Sequence, residues 1–210
     1  MAIAATRTTT RLSGPQRRER ILAAAAEAFA ARGYHAASVG DVAEAAGITK
    51  PVVYDHFASK RELFVELMET AREQLTSRGV EAMSGDAPLE VRLRAAITAF
   101  FAYVEENPAT ARVLFTPPTG EPDLLAAAQR VQAEATASIA AMLGSERELL
   151  AGARDRKRRL ELFGEFLKGG AHGLAIWWSD HPRVPRDVLV DAATELLWIG
   201  LRGHVSSSAS

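Results

Sequence analysis

Residues 47–60 read GITKPVVYDHFASK. The segment holds a glycine, two helix-capping residues (Thr49 and Ser59), a proline, a tyrosine, a histidine and two lysines. A buried core does not use residues this way, so the segment is built to meet something. Taken as a short helix, it places Val53 and Phe57 four positions apart on one face. The opposite face then carries Thr49, Lys50, Pro51, Val52 and Tyr54, with His56 to one side.

The flanks fit that rod into a compact helical unit. Pro15 opens a helical pattern, as proline can at a first turn. Ile21, Leu22, Ala25, Ala28 and Phe29 form its apolar stripe, and Gly33 is its expected C-cap. Ser38 precedes VGDVAEAA, and Ser38 with Asp41 has the form of a capping box. Gly47 ends that second helix and Ile48 plugs the corner. Ser59, with Glu62 three residues on, starts a long fourth helix through Leu63, Phe64, Leu67, Met68, Ala71 and Leu75. Two short helices joined by such a turn read either as a helix-turn-helix or as an ordinary corner of an all-helical protein. Spacing alone leaves both open.

The residue chemistry favours DNA. Lys50 reaches a phosphate or a guanine edge, and Pro51 and Val52 suit thymine methyl groups. Tyr54 and His56 can donate to phosphate oxygens, which positions a reader without conveying sequence. Ser38, Ser59 and Lys60 begin the neighbouring helices, whose free N–H groups and positive dipole ends favour phosphates. Arg7, Arg11 and Arg17 either enter an adjacent minor groove or, for the first two, form a plain tail. Each also has an ordinary reading: Tyr54 as a half-buried lid, His56 as a solvent-facing ring, the lysines as solvated charges.

From Arg17 to Phe64 the sequence RRERILAAAAEAFAARGYHAASVGDVAEAAGITKPVVYDHFASKRELF resembles the DNA-binding domain of the TetR family of transcriptional repressors. The resemblance lies in the joint spacing of the Ala/Phe helix, Gly33-Tyr34, Ser38-Val39, Val42-Ala43, Ala46-Gly47-Ile48, Tyr54-x-His56-Phe57 and Ser59-Lys60-x-x-Leu63. It implies a homodimer on a palindromic operator and a C-terminal domain for ligand binding and dimerisation. Pro51 stands where such proteins often carry glycine, so the operator of a relative is not carried over.

The bulk properties agree. The net charge is -1, but bases outnumber acids by three over residues 1–60. The chain has no cysteine, which excludes disulfides and thiolate chemistry, and its five histidines are scattered. Phosphate loops, nucleophile elbows and metal motifs are absent, so neither an enzyme nor a cofactor is expected. No apolar run reaches the roughly 18 residues of a membrane span, and the N-terminus lacks a signal-peptide core; a cytoplasmic location is expected.

The expected architecture is all-α. Residues 1–14 are read as a disordered arm, 15–60 as a three-helix DNA-binding domain, and 61–205 as a larger helical domain. Helices are expected at about 88–106, 108–115, 121–143, 154–179 and 185–201. The last two supply the expected dimer seam, through Gly169, Gly173, Leu189, Ala193, Leu196 and Gly200, in an intermolecular four-helix bundle; closure of the monomer core is the alternative. Phe101, Tyr103, Phe115, Phe163, Phe166, His172 and Trp177 are the candidates for holding a small, largely apolar effector, though such a stripe also serves as plain core. The resulting expectation is a ligand-responsive repressor, with an activator of the same fold, or a ligand carrier without DNA binding, as alternatives.

Overall fold

The computed structural model describes residues 13–116 and 120–205. Most of the expected N-terminal arm, with Arg7 and Arg11, lies outside them. Among the described residues there are nine helices and no strand. The first three, α1 (Gly14–Ala36), α2 (Val39–Ala46) and α3 (Lys50–Tyr54), form a small N-terminal head. The body follows as α4 (Lys60–Ala82), α5 (Leu89–Glu106), α6 (Pro108–Phe115), α7 (Pro122–Ser145), α8 (Arg156–Ser179) and α9 (Arg186–Arg202).

Each boundary in the head has a local cause. Ser13 caps α1 reciprocally with Gln16, one residue ahead of the expected start. Gly33, with φ of 74°, breaks the helical run so that Tyr34 folds back under Phe29 and Phe64. Ser38 and Asp41 form the full capping box: the Asp41 amide donates to Ser38 Oγ at 3.1 Å, and the Ser38 amide to Asp41 Oδ2 at 2.7 Å. These bonds satisfy donors that a helix start leaves open. Gly47 ends α2 in the left-handed region at φ of 65°, where a Cβ is disfavoured.

A continuous core joins head and body, running from Ile21, Phe29, Val42, Val53 and Phe57 to Leu63, Phe101, Leu124 and Leu189. A second apolar cluster, with Leu143, Leu149, Leu160 and Leu201, closes the far end of the body. There Arg92 makes a two-pronged ion pair with Glu146 at 2.6 and 2.7 Å. Arg156, at the start of α8, turns inward and donates to the carbonyls of Gly144, Glu146 and Leu149. Helices α7 and α8 approach closely because Gly164 has no side chain; a Cβ there would meet the Thr136 carbonyl at 2.9 Å.

Candidate nucleic-acid interface and effector core

The helix α3 has the two faces that its spacing predicts. Val53 and Phe57 are each 1% exposed, whereas Lys50 and Pro51 stand in solvent and Tyr54 is 46% exposed. Val52 and His56 are partly exposed at its edges. Thr49 is the N-cap residue, yet its hydroxyl makes no cap bond. The Lys50 ammonium lies 5.9 Å from the Tyr54 ring centroid, so both groups share one surface.

Ser38 and Ser59 flank this surface as N-caps of α2 and α4. Ser59 Oγ accepts from the Glu62 amide at 3.0 Å, but Glu62 reaches past its own cap to accept from the Ala58 amide. Arg17 is partly exposed on α1.

Lys60 departs from expectation. Its ammonium donates to the carbonyls of Tyr34, Ala37 and His35, at 2.8, 3.1 and 3.4 Å, and sits 4.3 Å from the Tyr34 ring centroid. These carbonyls mark the end of α1, where a cation is favoured. The side chain therefore fastens α4 to α1 instead of reaching outward for a phosphate.

Two arginines not singled out from sequence complete the head. Arg18 donates to the His56 carbonyl at 2.8 Å, covers the Phe57 ring at 4.3 Å and pairs with Glu66 at 2.8 Å. It clamps the exit of α3 to both α1 and α4. Arg20 lies over Gly47, its guanidinium only 2.9 Å from where a Cβ would stand. That brings a further cation to the turn. Its position three residues after Arg17 was the available signal.

Inside the body the expected effector residues divide. Phe101 and Tyr103 are buried, and so is Phe115. A row of aromatic rings runs Trp178–Phe101–Phe100–His172–Phe115, with centroid separations of 5.9, 5.1, 6.3 and 4.1 Å. Burial pushes the His172 imidazole down to about 4, helped by the Lys168 charge and opposed by Glu165. It is therefore neutral at neutral pH. Burial likewise raises the Tyr103 phenol to about 12, against the influence of Arg78, whose guanidinium lies 5.2 Å from the ring centroid.

Phe166 and Trp177 do not line this interior: they are 78% and 45% exposed. Phe163 packs in the far-end cluster beside His204. Two indentations, with cavity volumes of about 400 and 350 Å³, lie between α5 and α9 and around the α4–α5 and α7–α8 turns. Neither is lined by an expected effector residue. The ring row is closed.

Beside the row lies a polar group in which the sequence singles out His172 and Glu165 as polar contacts for a ligand but not Lys168, Gln132 or Thr136. Lys168, only 8% exposed, donates to Glu165 Oε2 at 2.8 Å and to the Gln132 carbonyl at 3.2 Å. Thr136 Oγ1 donates to Glu165 at 2.5 Å, and Gln132 Nε2 to the Leu114 carbonyl at 3.0 Å. Lys168 holds the Glu165 carboxyl below its usual range, with Thr136 assisting. The pairs Gln132/Thr136 and Lys168/His172 are each spaced four apart, the one trace they leave in an otherwise apolar pattern.

Across the outside of α8 and α9 runs an unpartnered apolar face. On α8 it comprises Leu162, Phe166, Ile176 and Trp177, interrupted by Gly169 and Gly173, around which a Cβ would meet nothing within 4 Å. On α9 it comprises Val188, Leu196 and Ile199, with Gly200 equally open. Leu189, expected on the seam, is instead buried in the core, and Ala193 is half-buried against it.

A helix-turn-helix head with a polar exposed face, set on a helical body with an apolar outer face, is the build of a DNA-binding transcription regulator. Residues 21–67 match the model for bacterial regulatory proteins of the tetR family. Over 200 residues the chain is 31% identical to the transcriptional activator FasR of Mycolicibacterium smegmatis, covering 95% of this chain and 89% of that protein. The fatty acid degradation regulator FadR of Bacillus halodurans shares the fold with a TM-score of 0.76 at 20% identity, covering 88% of this chain and 99% of that one. The FadR of Bacillus subtilis, solved in complex with stearoyl-CoA, does so with a TM-score of 0.68 at 18% identity, covering 85% and 96%. The chain belongs to the TetR family of transcriptional regulators. No helix among the described residues is long and apolar enough to cross a membrane.

Proposed function

We propose that the chain acts as an effector-responsive homodimer that reads an inverted-repeat operator. The carrying observation is the division of α3: Val53 and Phe57 buried, Lys50, Pro51 and Tyr54 exposed on one surface. Lys50, Pro51 and Val52 are the residues that read base edges; Thr49, Tyr54, His56, Ser38, Ser59 and Arg17 position the head on phosphates. Lys60 contributes by fixing α4 against α1.

One reader head gives a weak half-site. Pairing α8 and α9 with the same helices of a second copy would cover Leu162, Phe166, Leu196 and Ile199 and set two heads about one DNA turn apart, roughly 34 Å. An exposed apolar stripe of this extent otherwise stays in water at a cost. The effector enters at the ring row; α4, which starts beside the reading face and ends in the body, carries the change. The sign of regulation follows the operator's position relative to its promoter: a relative matching nearly the full chain is named an activator, so repression is not built into the fold.

The effector class is an acyl chain. A fold neighbour holds stearoyl-CoA, and the interior offered here is aromatic and apolar. Selection of bound duplexes from a random pool tests the reading. An inverted repeat with half-sites one turn apart is expected. Substituting Lys50 or Val52 should change the selected sequence, whereas Tyr54→Ala should weaken all sequences alike. Recovery of unrelated sequences, with no repeat, would refute it.

A further inference from the structure

The polar group beside the ring row has bonding capacity that the fold leaves unused. Lys168 carries three N–H donors, of which two are bonded, to Glu165 and to the Gln132 carbonyl. Gln132 Oε1 is fully buried and has no partner. The His172 ring is held by stacking on Phe115 at 4.1 Å, and neither of its nitrogens makes a hydrogen bond to a described residue. A buried polar group without a partner costs about 1–3 kcal/mol; Gln132 Oε1 is such a group, and beside it Lys168 and the partly buried His172 keep hydrogen-bonding capacity that the fold does not use.

We propose that Lys168 and His172 seat the carbonyl oxygen of an acyl thioester, whose chain lies along the ring row among Phe100, Phe101 and Phe115. The proposal rests on the effector-responsive reading above and assigns its recognition chemistry. Three features select this ligand. The ammonium and a neutral imidazole N–H are donors, so the ligand atom is an acceptor. Glu165 lies 2.8 Å from the ammonium, so the seat has no net charge; it suits a neutral carbonyl better than a carboxylate and repels a phosphate. The adjacent wall is aromatic, so the rest of the buried ligand is apolar.

The ring row is closed in this structure, with Phe115 and His172 in contact, so binding requires one of these rings to move. The anionic nucleotide end of a thioester would remain outside the body, because the Lys168 ammonium is already paired with Glu165. Free fatty acids share the chain but present a charged head, which the seat disfavours.

Binding is measured on the full chain by quenching of Trp fluorescence, since Trp178 ends the ring row. The probes are dodecanoyl-CoA, its thioether analogue S-dodecyl-CoA, which lacks only the carbonyl, and dodecanoate. The wild-type chain should prefer the thioester over the thioether by on the order of tenfold, as expected for one or two buried hydrogen bonds. It should bind dodecanoate less tightly than the thioester. Lys168→Met and His172→Phe should each erase most of the thioester-over-thioether preference while still binding the thioether. That preference is a ratio, so it stays informative if a variant is less stable. Equal binding of thioester and thioether by the wild type, or a preference surviving both substitutions, overturns the proposal. Failure to bind any acyl probe, with an inverted repeat still selected from duplex pools, overturns the carbonyl seat and leaves the DNA-reading function standing.

Discussion

The neutral imidazole at the centre of the ring row makes stability depend on pH in a defined window. The folded chain holds His172 near 4, whereas an unfolded histidine titrates near 6.5. Between those values the unfolded chain takes up a proton that the folded chain refuses. Stability is therefore complete above about pH 6.5 and falls as pH drops toward 4. At pH 5 the linkage loss is about 2 kcal/mol, and the full shift corresponds to about 3 kcal/mol. Against a typical domain stability of roughly 5–15 kcal/mol, this is a visible fraction. The charged groups facing His172 are Lys168 and Glu165, and both lie close by on α8. Glu165, held below its usual range, adds its own loss only as the pH falls into the ordinary carboxylate range and on toward its lowered folded value, so pH 5–6.5 is governed mainly by the histidine. Urea melts at fixed protein concentration, followed by circular dichroism in half-unit pH steps, give the slope. His172→Phe keeps a ring between Phe100 and Phe115 but cannot titrate, so its stability should stay flat across pH 5–6.5 while the wild type falls. Parallel curves for the two proteins would show that the ring is not held neutral and would remove the argument.

Three further outcomes are expected. Gly164→Ala must push α8 away from the Thr136 carbonyl and the Ala140 amide; overpacking of this kind outweighs the gain in helix propensity, giving a net loss of about 1–3 kcal/mol in urea melts. Ser38→Ala removes the reciprocal cap of α2 and should cost about 1 kcal/mol, together with weaker binding to any duplex because α2 frays beside the reading face. Phe166→Asp with Leu196→Asp places charges on the outer face of α8 and α9; sedimentation should show monomers with unchanged helix content, and loss of binding to two half-sites but not of the weak binding to one.

Much of this was legible because punctuation and period agreed. Proline at 15, 51, 108 and 122, glycine at 47, and serine at 38 and 59 each coincide with a helix end in the structure, while the expected cap Gly33 kinks α1 just before its end at Ala36; the prolines and glycines act through their own backbone and the serines through their hydroxyls. The reading face was legible for the same reason: only one rotation of a short rod buries both Val53 and Phe57. The outer helices resisted, and the cause is specific. Helix α8 is apolar on two sides, with Leu160, Ala175 and Trp178 inward and Leu162, Phe166, Ile176 and Trp177 outward. Helix α9 repeats the pattern, with Leu189, Val190 and Leu201 inward and Val188, Leu196 and Ile199 outward. Periodicity shows that such a helix has two partners but not which face meets which. Hence Phe166 and Trp177 were assigned to the interior, and Leu189 to the seam. Lys60 shows a second limit. Sequence gives a charge on a long flexible stem, and the carbonyls that capture it come from residues about 25 positions earlier.

The geometry also supplies a second connection between effector and reader besides α4. The ring row ends on Phe115, the last residue of α6, and α6 packs against α1. Just beyond it, Glu121 lies 3.7 Å from His35, at the end of α1. The same end of α1 receives the Lys60 ammonium. A ligand that displaces Phe115 therefore acts on α6, and through it on the helix to which both α3 and α4 are fastened by Arg18 and Lys60. In the proposed switch this can alter DNA binding only if the displaced and undisplaced arrangements differ in their affinity for the effector. A closed row that must open to admit a chain meets that condition, because the open arrangement alone can accommodate it. Loosening the row without a ligand should then mimic the effector. Phe115→Ala is expected to shift operator affinity in the direction that dodecanoyl-CoA does, and to leave little further response to it. An unchanged operator affinity in that variant, with a full response to the thioester, would confine the coupling to α4.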